Sequence, residues 1–190
     1  MDVLLSVCLG LGLAAACGFR LFVPFLVLNL AARSGYVALD GSFEWLISTP
    51  ALITLAVATA LEITAYYVPW LDNLLDSVAS PAAVVAGIVV TASVVTGIDP
   101  LLKWSLAVIA GGGVAGAVQA MTVGARGASS LTTAGIGNPL VTTAEIGGSA
   151  LLSGMAVGVP LLIALVVPVL LILAVRRLRR RQAIASARPD

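Results

Sequence analysis

Long apolar runs separated by short polar punctuation dominate the chain. The first, Val3 to Leu30, is longer than one bilayer crossing and is broken by Gly18, Arg20 and Pro24, which remove side-chain packing, add a charge and delete a backbone donor. This predicts a span to about Cys17 and then a short re-entrant or half-helix. After a polar stretch from Arg33 to Glu44, a second span is expected from about Leu46 to Trp70, with Tyr66, Tyr67 and Trp70 at its interface end and Pro69 where it bends or stops. Leu71 to Ser80 reads as a short interfacial helix, with Asp72 and Asp76 four apart on one face. Spans three (Pro81 to about Gly97) and four (about Leu101 to Thr122) flank the tight turn Ile98-Asp99-Pro100. Gly124 to Asn138 reads as a polar loop around Arg126, too polar to cross lipid unsupported. Pro139 to Val175 then supplies two spans, with Gly154, Gly158 and Pro160 as the natural break.

The expected fold class is therefore all-α integral membrane, with about six transmembrane helices. Composition agrees: 60% of the 190 residues are apolar, 10% are charged and the mean hydropathy is +1.11, which leaves too few polar residues to cover a soluble domain. Runs such as Leu161 to Val175 lack the dyad alternation of barrel strands. The net charge of +1 hides a skew, because Arg176, Arg177, Arg179, Arg180 and Arg181 directly follow the last apolar run. That cluster predicts a multi-pass protein of the bacterial cytoplasmic (inner) membrane with a cytoplasmic basic tail, 179–190, and both termini inside, the Asp99 turn lying outside. With no basic residue before Arg20, the first run does not read as a cleaved signal.

The two halves show a faint likeness. Gly18-Phe19-Arg20 and Gly124-Ala125-Arg126 each put a Gly-x-Arg at the end of an opening span, and Thr59-Ala60-Leu61-Glu62-Ile63 matches Thr142-Thr143-Ala144-Glu145-Ile146 in placing a glutamate in an apolar span. Two three-span units, 1–98 and 99–178, would then be inserted in opposite senses. Chance likeness between apolar stretches competes, since arginine and glutamate are 42 residues apart in the first half and 19 in the second.

Ionisable groups inside a span cost about 2.5–3.5 kcal/mol each on insertion scales, so Glu62 and Glu145 are candidates for cation or proton handling, against the plainer reading as glue between helices. Arg20 and Arg126 could snorkel to headgroups, pair with those glutamates, or bind an anion through their guanidinium forks. Asp72 and Asp76 offer oxygen ligands, although an interfacial helix showing acids to water is the commoner case. Asn138, Thr142, Thr143, Ser149 and Ser153 give span five the most polar lining of any span, so a permeation path would border it. The spacings of Gly112 with Gly116 and Gly154 with Gly158 permit a tight bundle or a homodimer.

Leu61-Glu62, Val68-Pro69 with Asp72 and Asp76, the two Gly-x-Arg elements, the segment from Asn138-Pro139 to Glu145 and the arginine tail together resemble a bacterial membrane family catalogued as domain of unknown function 4126. The likeness covers nearly the whole chain and is most specific from Glu62 to Asp76. Two departures from that family's pattern are Tyr66-Tyr67 in place of Asp-Lys and Ile146 in place of an acid. The resemblance implies no activity.

These features predict a small transporter or channel-like permease that handles an ion or an anionic solute, a lipid phosphate included, at Arg20, Glu62, Asp72, Asp76, Arg126, Asn138, Thr142 and Glu145. The alternative is a non-transporting membrane scaffold or assembly factor with structural Glu-Arg pairs. A water-accessible cavity reaching both glutamates would favour the first, and a dry core in which Arg20 and Arg126 saturate them the second. No enzyme is expected, because no histidine and no nucleophile with its base is recognisable. The two cysteines, Cys8 and Cys17, fall on opposite helical faces, so no metal or cofactor is expected, and neither is a nucleic-acid partner.

Overall fold

The computed structural model describes residues 2–133 and 135–160 and scattered helical positions from 162 to 176; of residues 69, 70 and 72–74 it describes the backbone alone. The arginine tail beyond Arg176 lies outside the described residues. Regular structure among them is entirely helical: α1 (Val3–Cys17), α2 (Phe22–Arg33), a 3-10 segment (Gly41–Ile47), α3 (Thr49–Ala65), α4 (Pro69–Val94), α5 (Pro100–Leu106) running through a π segment (Ala107–Gly112) into α6 (Gly113–Thr133), and α7 (Asn138–Gly158). Leu75–Val94, Pro100–Thr133 and Asn138–Gly158 are long and apolar enough to cross a membrane, and Gly41–Ile47 with Thr49–Ala65 forms a pair bent by 68° that passes together. At 15 and 12 residues, α1 and α2 are too short to cross singly.

The punctuation acts as its chemistry dictates. Ser48 and Asp99 cap α3 and α5 by accepting the N–H groups of Ala51 and Leu101, each with a proline in the first turn. Val68, extended before Pro69, separates α3 from α4, and α7 ends at Val159 (φ −142°, ψ 65°) before Pro160, at the break expected within 139–175.

Two expectations about local structure fail. There is no separate interfacial helix at 71–80, because α4 runs unbroken from Pro69 through Pro81 to Val94. In an apolar setting a break would strand more backbone groups than the one bond Pro81 removes. Nor is Gly124–Asn138 a loop: α6 continues to Thr133, and Thr132 and Thr133 turn their hydroxyls back onto the carbonyls of Ala128 and Ser129. Polar side chains that satisfy themselves locally do not force a helix to stop.

The first apolar run folds as a hairpin that enters and leaves at one end of the bundle. Where α1 begins, a Cβ on Gly97 would lie 3.8 Å from Val3. Midway, Thr91 donates to the Gly10 carbonyl at 3.2 Å, and at the far end Gly18 packs on Ala115 and Val118. After α2, Asp40 is back at the starting level: its N–H donates to the Ser93 carbonyl (2.8 Å) and its carboxylate takes Lys103 Nζ (2.8 Å). The start of the chain and the Asp99 turn, expected on opposite faces, therefore lie at the same end.

Around this hairpin the bundle is tightly closed. Helix α1, apolar on all sides, is the central element, with Leu9, Leu13, Ala14, Ala15, Ala16 and Cys17 at most 1% exposed. Contact between α4 and the π segment is backbone to backbone: a Cβ on Gly87 would fall 2.6 Å from the Gly111 carbonyl, which only glycine permits. Residues from both halves of the chain build one core, Leu13, Val90, Ala115 and Ala156 among them.

Candidate functional site

The hairpin tip, Gly18 to Leu21, carries Arg20 into the bundle, where it is 1% exposed. Its Nη2 donates to Glu145 Oε2 on α7 at 2.8 Å. The same carboxylate takes a second guanidinium from α6: Arg126 Nε donates to Glu145 Oε1 at 3.0 Å, and Arg126 Nη2 bonds Oε2. Arg126 also meets Asp76 of α4, with Nη1 3.4 Å from Oδ1. Two arginines and two carboxylates from four elements thus form one neutral network. Both guanidiniums lie over the ring of Tyr66, at 3.9 Å for Arg20 and 4.3 Å for Arg126, so its π face offsets part of the repulsion between them.

Glu62 stands beside the network and does other work. Its Oε1 accepts the Leu21 N–H at 2.7 Å and its Oε2 the Phe22 N–H at 3.0 Å. Those are orphan donors at the start of α2, whose partial positive charge suits a carboxylate. The two glutamates therefore hold successive tip residues, Glu145 through the Arg20 side chain and Glu62 through the Leu21 backbone.

The remaining predicted residues are dispersed. Thr142, fully buried, donates to the Tyr66 carbonyl at 3.5 Å, and Asn138 pairs with Ser130 at 3.2 Å. Ser149 donates to the Ala16 carbonyl (3.0 Å) and Ser153 to that of Ser149 (2.7 Å), so the polar stripe of α7 is spent on contacts within the bundle. Asp72 lies on α4, its side chain outside the described residues. Among the described residues no group of three His, Cys, Asp or Glu could hold a metal.

Two clefts border the network, the first with an apolar surface and the second with a partly polar one. One, of about 230 Å³, is lined by Phe19, Met121, Thr122, Ala125, Val141, Ala144 and Glu145. The other, of about 300 Å³, lies between α4 and α6 and is lined by Asp76, Ser77, Ser80, Val123, Arg126 and Gly127. The Arg126–Glu145 pair contributes one residue to each.

Tyr66 stands out in the sequence as an interface aromatic and a departure from the family pattern, yet it sits four residues after Glu62 and so shares its helical face. The Asp40–Lys103 bridge went unnoticed, and no local spacing signals a pair 63 residues apart. At that bridge the Lys103 ammonium holds the Asp40 carboxyl below the usual carboxylate range.

Fold and site together define an all-α protein of apolar, membrane-length helices closed around a buried ion-pair network at a hairpin tip. The chain belongs to the family described as Domain of unknown function (DUF4126), whose family model matches residues 7–180. Comparison with curated proteins and with solved structures gives no match.

Proposed function

We propose that the protein is a small membrane permease or channel-like pathway that handles an anionic solute at the Arg20–Arg126–Glu145–Asp76 network. One observation carries the reading: a hairpin that does not cross the bundle delivers Arg20 to a charged network whose Arg126 and Asp76 line a partly polar cleft. Irregular backbone at membrane depth is sustained only where protein buries it or a wet cavity borders it, and buried charges are costly enough to mark a working site by default. The guanidiniums are the substrate-binding groups here, and the carboxylates hold them while no substrate is bound. Glu62, occupied by helix amides, becomes the anchor of the tip.

A specific observation favours the scaffold reading as well. Glu145 is shared by both arginines and Glu62 by two backbone donors, so both glutamates are occupied without a ligand. An inverted repeat plays no part in either reading, because Gly18-Phe19-Arg20 turns between two helices while Gly124-Ala125-Arg126 lies within one.

In the bilayer we place the Arg126 end of the bundle and the arginine tail on the cytoplasmic side of a bacterial inner membrane, which puts the chain start on the opposite side. Flux in proteoliposomes across a panel of ions and anionic solutes tests the function. Solute-specific flux in the native chain that falls in Glu145→Gln is expected of a permease. No flux for any solute, or equal flux in the variant, leaves the scaffold.

A further inference from the structure

The α4–α6 cleft offers an oxyanion half of an arginine. Arg126 is 5% exposed and its guanidinium is used unevenly. The Nε and Nη2 edge forks onto both oxygens of Glu145, whereas Nη1 has no hydrogen bond and meets Asp76 only as an ion pair at 3.4 Å. Nη1 is itself buried; Arg126 and Asp76 both line the cleft, and Ser77 and Ser80 complete its α4 wall, the latter donating to the Asp76 carbonyl at 2.9 Å. Asp76 is the more exposed partner, its side chain 15% exposed against 6% for Arg126.

We propose that this cleft binds a phosphate group, free or as a lipid headgroup, which takes the Nη1 edge of Arg126 in place of the Asp76 carboxylate. Exchange of one anion for another keeps the buried guanidinium compensated throughout, which simple removal of a carboxylate would not. A guanidinium edge matches two oxygens of a phosphate. Asp76 then acts as a tethered competitor that sets how tightly the anion is held. The inference rests on reading the network as an anion-handling site, and it is tested by binding so that it can fail separately from flux.

Purified full-length protein in detergent is titrated calorimetrically with inorganic phosphate and, in a second arm, with a short-chain phosphatidic acid. Asp76→Asn is expected to bind one of them at least tenfold more tightly than the native chain, and whichever gains more identifies the free ion or the headgroup as the source. Asp76→Ser is a second uncharged variant with the same expectation should the asparagine variant fold poorly. Adding Val123→Phe, which fills the cleft without touching a charge, should abolish the gain while the thermal unfolding midpoint stays in place. Equal affinity in native and Asp76 variants for both ligands, no binding of either, or a gain that survives Val123→Phe would overturn the proposal. Tighter binding in the Asp76 variants without flux in any form of the protein retains the site and removes the permease.

Discussion

Arg20 at the hairpin tip and Glu145 on α7 meet at 2.8 Å across 125 residues of sequence. The pair fixes how deeply the hairpin is inserted, because the tip cannot withdraw without stranding a guanidinium in an apolar bundle. It is also not a simple pair. Glu145 is the single acceptor shared by two arginines, so the three side chains respond to substitution as a unit.

Removing that shared acceptor is the most damaging single change expected in the network. Glu145→Ala leaves two buried guanidiniums short of a counter-charge, and about 3–5 kcal/mol of destabilisation follows from breaking a buried pair. Glu145→Gln should cost less, since the amide oxygen still accepts. Exchanging the partners, Arg20→Glu with Glu145→Arg, should not rescue, because the new arginine would face Arg126. Thermal unfolding in detergent reads all three, and a swap variant of native stability would contradict the shared-acceptor arrangement.

Glu62 acts through backbone chemistry, and its substitution should have a local signature. Glu62→Ala removes the acceptor of the Leu21 and Phe22 amides and should cost about 0.5–2 kcal/mol, the range of a lost helix cap. Hydrogen exchange should quicken at those two amides while α4 and α6 remain protected. Uniform loss of protection throughout the bundle would show that Glu62 supports the whole fold and does not cap α2 specifically.

Most of the helical framework is legible in the sequence, and so is the choice of the charges that meet in its interior. Breaks at Gly18–Leu21, Val68-Pro69 and Val159-Pro160 follow from local backbone chemistry, which a single sequence displays. Arg20 and Glu145 stood out as ions in apolar runs, Arg126 as the charge of a polar stretch and Asp76 as an acid of an expected interfacial helix, and the four come together. What the pattern could not show was whether the first run crosses or returns, because that depends on Asp40 reaching Ser93 and Lys103, contacts between segments far apart in the chain. The expected division of labour also changed: Glu62 and Glu145 looked equivalent in their Thr-x-x-Glu-Ile settings, yet one holds amides and the other arginines. Equal local context does not fix the partner.

Tyr66 should matter as a ring and not as a phenol. Tyr66→Phe keeps a face under both guanidiniums and is expected to unfold within about 0.5 kcal/mol of the native protein, whereas Tyr66→Leu loses two cation–π contacts worth about 0.5–2 kcal/mol each. Comparison of their thermal midpoints decides it. If Phe and Leu were equally destabilising, the hydroxyl would be the important group.

The Asp40–Lys103 bridge at the mouth of the hairpin gives the fold a pH-dependent contribution of known sign. Lys103 holds the Asp40 carboxyl below the usual range, so the folded state prefers the charged form more than the unfolded state does. A depressed carboxyl contributes fully above its unfolded value, about 3.9, and the contribution is lost as pH falls through the lower folded value. The native chain should therefore exceed Asp40→Asn in thermal midpoint by a constant margin from about pH 8 to pH 5, and that margin should shrink below about pH 4. Lys103→Met should show the same pH dependence from the other partner, because the neutral side chain leaves Asp40 with an ordinary carboxyl. A margin that persists undiminished at the lowest pH would mean that the neutral hydrogen bond holds the mouth closed and the ion pair adds nothing.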